Sequence, residues 1–100
     1  MLDLIYNKLP GTGLQVSLVC LGTMMFGGQT SRTDSLAIRD CAVEQGVIFI
    51  DTADVYNQGE TEKVVGSWLR RRRDQIILAT KVRGQMGDSP NDSGLSRRHI

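Results

Sequence analysis

The sequence has no excess of charge of either sign. Twelve Lys and Arg stand against eleven Asp and Glu, a formal net charge of +1 over 100 residues. That gives no broad basic field for nucleic acid and no case for an acidic lipid surface. No apolar run approaches the roughly 20 residues that span a bilayer, so no membrane partner is expected. The opening stretch MLDLIYNKLPG carries an early acid and no cationic flank before a long apolar core, so no secretory leader is expected either. Cysteine is scarce. Cys20 and Cys41 are the two present; they form no C-x-x-C pair and have no histidine near them in sequence, so no metal site is expected. Two reduced thiols, one in a strand and one on a helix, suit a cytoplasmic protein. What is left, 40% hydrophobic and 23% charged, is ordinary for a soluble globular domain. The length supports one domain at most.

Periodicity divides the chain into alternating elements. Ile5 to Leu9 and Leu14 to Ser17, joined by Pro10-Gly11-Thr12-Gly13, read as a short hairpin. Leu18 to Leu21 is a continuous apolar run ending at Gly22, which predicts a fully buried strand. After a Gly/Ser/Thr-rich loop from Met24 to Arg32, a helix is expected from about Thr33, with Asp34 at its positive end. Ile38, Cys41 and Ala42 would form its apolar face and Gly46 its stop. Val47 to Ile50 reads as the next buried strand. A second helix is expected over 60–72, with a buried stripe of Val64, Val65, Trp68 and Leu69, and a third strand over 75–82. A polar loop from Arg83 to Leu95 then leads to Ser96, placed as the N-cap of a further helix. Buried strands alternating with amphipathic helices mean a parallel α/β sheet with right-handed crossovers. The order fits an open doubly wound sheet or a (β/α)₈ barrel, and in both the chemistry gathers at the C-terminal strand ends.

One stretch there is chemically odd. FIDTADVY runs from buried-strand residues into Asp51 and then reaches Tyr56. A buried carboxylate is costly unless a cation sits beside it. Side chains alternate along a strand, so Val47, Phe49 and Asp51 share one face, and Ile77, Ala79 and Lys81 share another. If the two strands are parallel neighbours, Lys81 can meet Asp51, and Tyr56 can fold back over the same end. Asp51 would hold Lys81 charged and in place. The ammonium would favour the phenolate, making Tyr56 a credible general acid for a carbonyl oxygen gaining negative charge. Spacing alone leaves open a plain structural Asp–Lys bridge with an incidental tyrosine at the rim.

The segments YNKLPGTGLQVSLVCLGTMMFGG, VIFIDTADVYNQGETEKVVGSWL, IILATKV and PNDSGLSRRHI resemble the aldo-keto reductases, most closely the bacterial-type branch that includes relatives of potassium-channel β-subunits. The resemblance covers nearly the whole chain and rests on a D-T-A-x-x-Y element followed by a strand ending in T-K. It implies a (β/α)₈ TIM barrel plugged by the N-terminal hairpin, of which residues 1–100 would be the N-terminal segment of a single domain: the hairpin plus about three βα units, an incomplete barrel. It implies NADPH-dependent reduction of aldehydes and ketones, with a small-molecule carbonyl substrate. By motif, Asp51 becomes the orienting carboxylate, Tyr56 the proton donor and Lys81 the residue that makes the phenol a better acid. Gly22, Thr23 and Met24, with Asp51, would face the cofactor; Gly22 would let backbone approach a ligand closely, unless it merely ends the strand. The family's histidine ends the next barrel strand. His99 lies in S-R-R-H-I at the start of a helix and is expected to face solvent.

A barrel needs about 250 residues, so the chain reads as the front portion of a longer reductase, inactive alone and left with open sheet edges. Two other readings remain: a nucleotide-sensing regulatory subunit on the same fold, and a truncated fragment without function. The arginine run 70–73 reads as a solvated helix end, and Trp68 as core. Gly11 and Gly13 make no Rossmann fingerprint, since no helix opens there. ADVYNQGETE fails as a calcium loop because Val65 falls where the bidentate Glu must be.

Overall fold

A computed structural model describes residues 5–100; the first four residues of the MLDLIYNKLPG stretch lie outside it. The elements are β1 (Tyr6–Lys8), β2 (Gln15–Ser17), β3 (Cys20–Gly22), α1 (Arg32–Glu44), β4 (Phe49–Asp51), a 3₁₀ turn (Tyr56–Gly59), α2 (Glu60–Leu69), a second 3₁₀ turn (Arg73–Gln75) and β5 (Ile77–Ala79). β1 and β2 form the expected antiparallel hairpin. β3, β4 and β5 form a parallel sheet in that order.

The register explains where the core sits. Leu21, Ile50 and Leu78 are aligned across the three strands. With Phe26, Val65, Leu69 and Ile76 they belong to one cluster between the sheet and the helices. The rows on either side of that one alternate to the opposite face. One row is Cys20, Phe49 and Ile77, and the next is Gly22, Asp51 and Ala79. Cys20 is exposed, and Phe49 and Ile77 are only half-buried. The sheet is thus covered by helices on one face and open on the other. This is part of a barrel wall, not a closed barrel.

Several expectations are corrected. Leu18 and Val19, expected in a buried strand, are 62% and 50% exposed and lie in a bend between β2 and β3. The chain must turn there to leave the hairpin for the sheet, and the strand itself starts at Cys20. On α1, Ile38 and Cys41 are exposed. Ser35 and Arg39 are the buried residues, with Leu36, Ala42 and Val43 half-buried. The helix turns a partly polar face inward because Arg39 lies over the Trp68 ring of α2, 4.5 Å from its centroid. The α1 cap is Ser31, whose hydroxyl accepts from the Asp34 amide at 3.0 Å. Gly46, at φ 97°, ends the helix as expected. α2 stops at Leu69, short of the expected 72, and a 3₁₀ turn leads into β5. Val64, Val65 and Leu69 are buried as the stripe requires, with Trp68 half-buried beside them.

The expected helix after Ser96 is only a turn over 97–99, with Ser96 at its head. The His99 amide reaches its hydroxyl at 3.1 Å, and the Ile100 amide reaches its carbonyl at 3.0 Å. His99 is not solvent-facing: it is half-buried, and its Nε2 is buried without a hydrogen-bond partner. Its turn folds back against Asp54, Glu62 and Thr80, with which it shares a cleft.

Candidate active site

The site forms where β4 and β5 end. Asp51 is the last residue of β4, opposite Ala79. The pairing runs on past the strands: the Thr52 amide donates to the Ala79 carbonyl at 2.8 Å, and the Asp54 amide to the Lys81 carbonyl at 3.2 Å. This continuation sets Lys81 beside Asp51. On the other side, the Thr23 amide and hydroxyl both donate to the Asp51 carbonyl, at 3.2 and 2.9 Å. Asp51 is therefore held from both neighbouring segments.

Lys81 Nζ donates to Asp51 Oδ2 at 2.8 Å, to the Thr52 carbonyl at 3.2 Å and to the Tyr56 hydroxyl at 3.1 Å. An ammonium has three donors and no acceptor, so all three are used. The phenol oxygen accepts from Lys81, which leaves its own O–H free to donate elsewhere. The ammonium also lies 5.1 Å from the Tyr56 ring centroid. The hydrogen bond to Asp51, followed by the one to Tyr56, raises the Lys81 pKa above its ordinary value; desolvation opposes this only in part. The side chains of Lys81 and Asp51 are 54% and 36% exposed. Water screens an ion pair this open, so the pair positions groups more than it stabilises the fold.

Of the residues singled out from the sequence, Asp51, Tyr56 and Lys81 come together in one bonded chain. Gly22 lies in the same row as Asp51, and a Cβ built there would meet nothing within 4 Å. Met24 is 53% exposed. Thr23 is 1% exposed, with its hydroxyl committed to Asp51.

Sequence reasoning missed Asn57 and Thr61. Asn57 Nδ2 donates to the Met24 carbonyl at 2.9 Å, the Phe26 carbonyl at 3.2 Å and Thr61 Oγ1 at 2.9 Å. Thr61 Oγ1 in turn donates to the Phe26 carbonyl at 2.6 Å. These bonds tie the loop after β3 to the turn that carries Tyr56. Asn57 does this from φ 50°, ψ 40°, a left-handed conformation that asparagine tolerates better than most residues. Gly28 completes the staple, because a Cβ there would collide with the Asn57 amide. The available signal was an asparagine directly after Tyr56 and a glycine pair in the facing loop.

The family model described as Aldo/keto reductase family matches residues 18–100. The uncharacterized oxidoreductase YrpG of Bacillus subtilis is 43% identical over 110 residues, covering 95% of this chain and 34% of that protein. A probable voltage-gated potassium channel subunit beta of Arabidopsis thaliana is 38% identical, covering 95% of this chain and 30% of its own length. Among solved structures, the holo form of aldo-keto reductase AKR11C1 from Bacillus halodurans superposes with a TM-score of 0.75 at 39% identity, over 87% of this chain and 29% of that one. The chain thus spans about a third of the length of the relatives it matches.

Proposed function

The chain belongs to the aldo/keto reductase family, and on that premise we propose that it contributes the proton-donating half of a site that reduces aldehydes or ketones to alcohols. The observation that carries this reading is the Lys81 ammonium spent on Asp51, Thr52 and Tyr56, which leaves the phenolic O–H unspent. Tyr56 is the general acid for the carbonyl oxygen of the substrate. Lys81 holds the phenol in place through its hydrogen bond to the phenolic oxygen. Asp51 keeps Lys81 charged and fixed.

The residues fit a nicotinamide cofactor. Gly22 adds no side chain at the end of β3, and a Cβ there would meet nothing within 4 Å; Met24 close by is exposed. Gly22, Met24 and Asp51 would border NADPH, while Thr23 positions Asp51 from beneath. NADPH, when bound, supplies the hydride; the chain's own residues supply and orient the proton.

Three parallel strands make only part of an eight-stranded barrel. The activity therefore belongs to a polypeptide that brings the remaining strands, including the one expected to carry the family's histidine. Two free thiols suit the cytoplasm. A second reading, a nucleotide-sensing subunit, is favoured by the channel-subunit relative. The test is NADPH consumption, followed by absorbance, with a panel of aldehydes and ketones and the full-length protein. Turnover that depends on the carbonyl supports the reductase. Tight nucleotide binding without turnover of any member supports the sensor instead.

A further inference from the structure

A second feature lies on the helix layer, in an open groove of about 380 Å³ between α1 and α2. Five arginines line it: Arg32, Arg39, Arg70, Arg71 and Arg72. Among the described residues no carboxylate lines the groove, and Asp40 reaches its arginines, 2.9 Å from Arg39 Nε and 3.8 Å from Arg72 Nη1. None of Asp51, Tyr56 and Lys81 borders it.

Three of the guanidinium groups have partners on the two helices. Arg32 donates to the Ser67 hydroxyl at 2.9 Å. Arg39 and Arg72 share the Trp68 ring, at 4.5 and 5.9 Å from its centroid. Two cations on one indole repel each other, and a single carboxylate between them leaves excess positive charge. Arg39 is only 8% exposed, and its Nη1 is buried with no hydrogen-bond partner. A buried charged donor left unpaired is unusual in a folded protein. Burial pushes the Arg39 pKa below its ordinary value; Asp40 opposes this and Arg72 adds to it. Five guanidinium groups beside one carboxylate favour an anion with several acceptor oxygens. Planar guanidinium forks match phosphate in this way.

We propose that the groove between α1 and α2 is an anion site for a ligand bearing linked phosphates. The inference rests on the groove alone and stands or falls separately from the reductase reading.

The test titrates inorganic pyrophosphate and, in a second arm, adenosine diphosphate into the full-length protein at constant ionic strength. Calorimetry measures binding, and the fluorescence of Trp68 reports occupation beside its ring. The result expected is saturable binding of both ligands, weakened at least tenfold by Arg70→Gln with Arg71→Gln, two exposed side chains whose loss leaves the core intact. Equal affinities in the two arms mean that the phosphates alone are read; tighter binding of the diphosphate ester that is lost in the Arg70/Arg71 variant means that the groove also reads the nucleoside. A response matched by sodium chloride at equal ionic strength, or binding unchanged in the Arg70/Arg71 variant, overturns the proposal.

Discussion

Lys81 has three protons to give and three acceptors within 3.2 Å. Two of these partners were legible in the sequence. Strand alternation put Asp51 and Lys81 on matching faces, and the short loop put Tyr56 within reach. The third, the Thr52 carbonyl, is a backbone group, and side-chain pattern says nothing about where a carbonyl points. The raised Lys81 pKa sets a pH window. The folded state holds this proton more tightly than the unfolded chain does. The contribution of the network is therefore complete below the ordinary lysine value of 10.5 and is lost as pH climbs through the raised folded value. In Lys81→Met, the stability deficit relative to wild type should be constant from neutral pH to about 9 and should shrink above about pH 10.5. Denaturant unfolding across that range measures it. A deficit that instead grows with alkalinity would contradict the assignment.

At the scale of elements, the parallel strands and both helices were legible because hydrophobic period and turn residues agree there. The inward face of α1 was not. Ile38 and Cys41 are the apolar choices by pattern, but the helix meets α2 through Arg39 on Trp68, a cation–π contact that no hydropathy period contains. The staple at Asn57 was hidden for a similar reason: its partners are carbonyls of a distant loop. Asn57→Ala removes two amide protons shared among three acceptors and puts a less tolerant residue in the left-handed region. A net loss of about 1–3 kcal/mol is expected. Gln58, at φ 57°, has no such compensation in its side-chain type. Gln58→Gly should be neutral or stabilising by up to about 1 kcal/mol. Urea midpoints of the two variants should move in opposite directions, or Gln58→Gly not at all.

At the scale of the molecule, one face of a three-stranded parallel sheet is packed and the other is open, as expected of a barrel wall. Ile50, 1% exposed at the centre of the packed face, should cost about 2–5 kcal/mol as Ile50→Ala. Ile38, 44% exposed on α1, should cost less than about 1 kcal/mol as Ile38→Ala. Reversed magnitudes would mean that α1 packs as the hydrophobic pattern alone suggested. The central claim concerns the open strand ends, where an ammonium with no donor to spare leaves a phenol free to give its proton. The most direct measurement compares Tyr56→Phe with wild type in the full-length protein, reading single-turnover reduction of an aldehyde beside NADPH affinity. The account predicts that the rate falls about 10²- to 10⁴-fold while NADPH affinity stays within a few-fold. A rate unchanged by loss of the hydroxyl, or losses of equal size in rate and affinity, would contradict it.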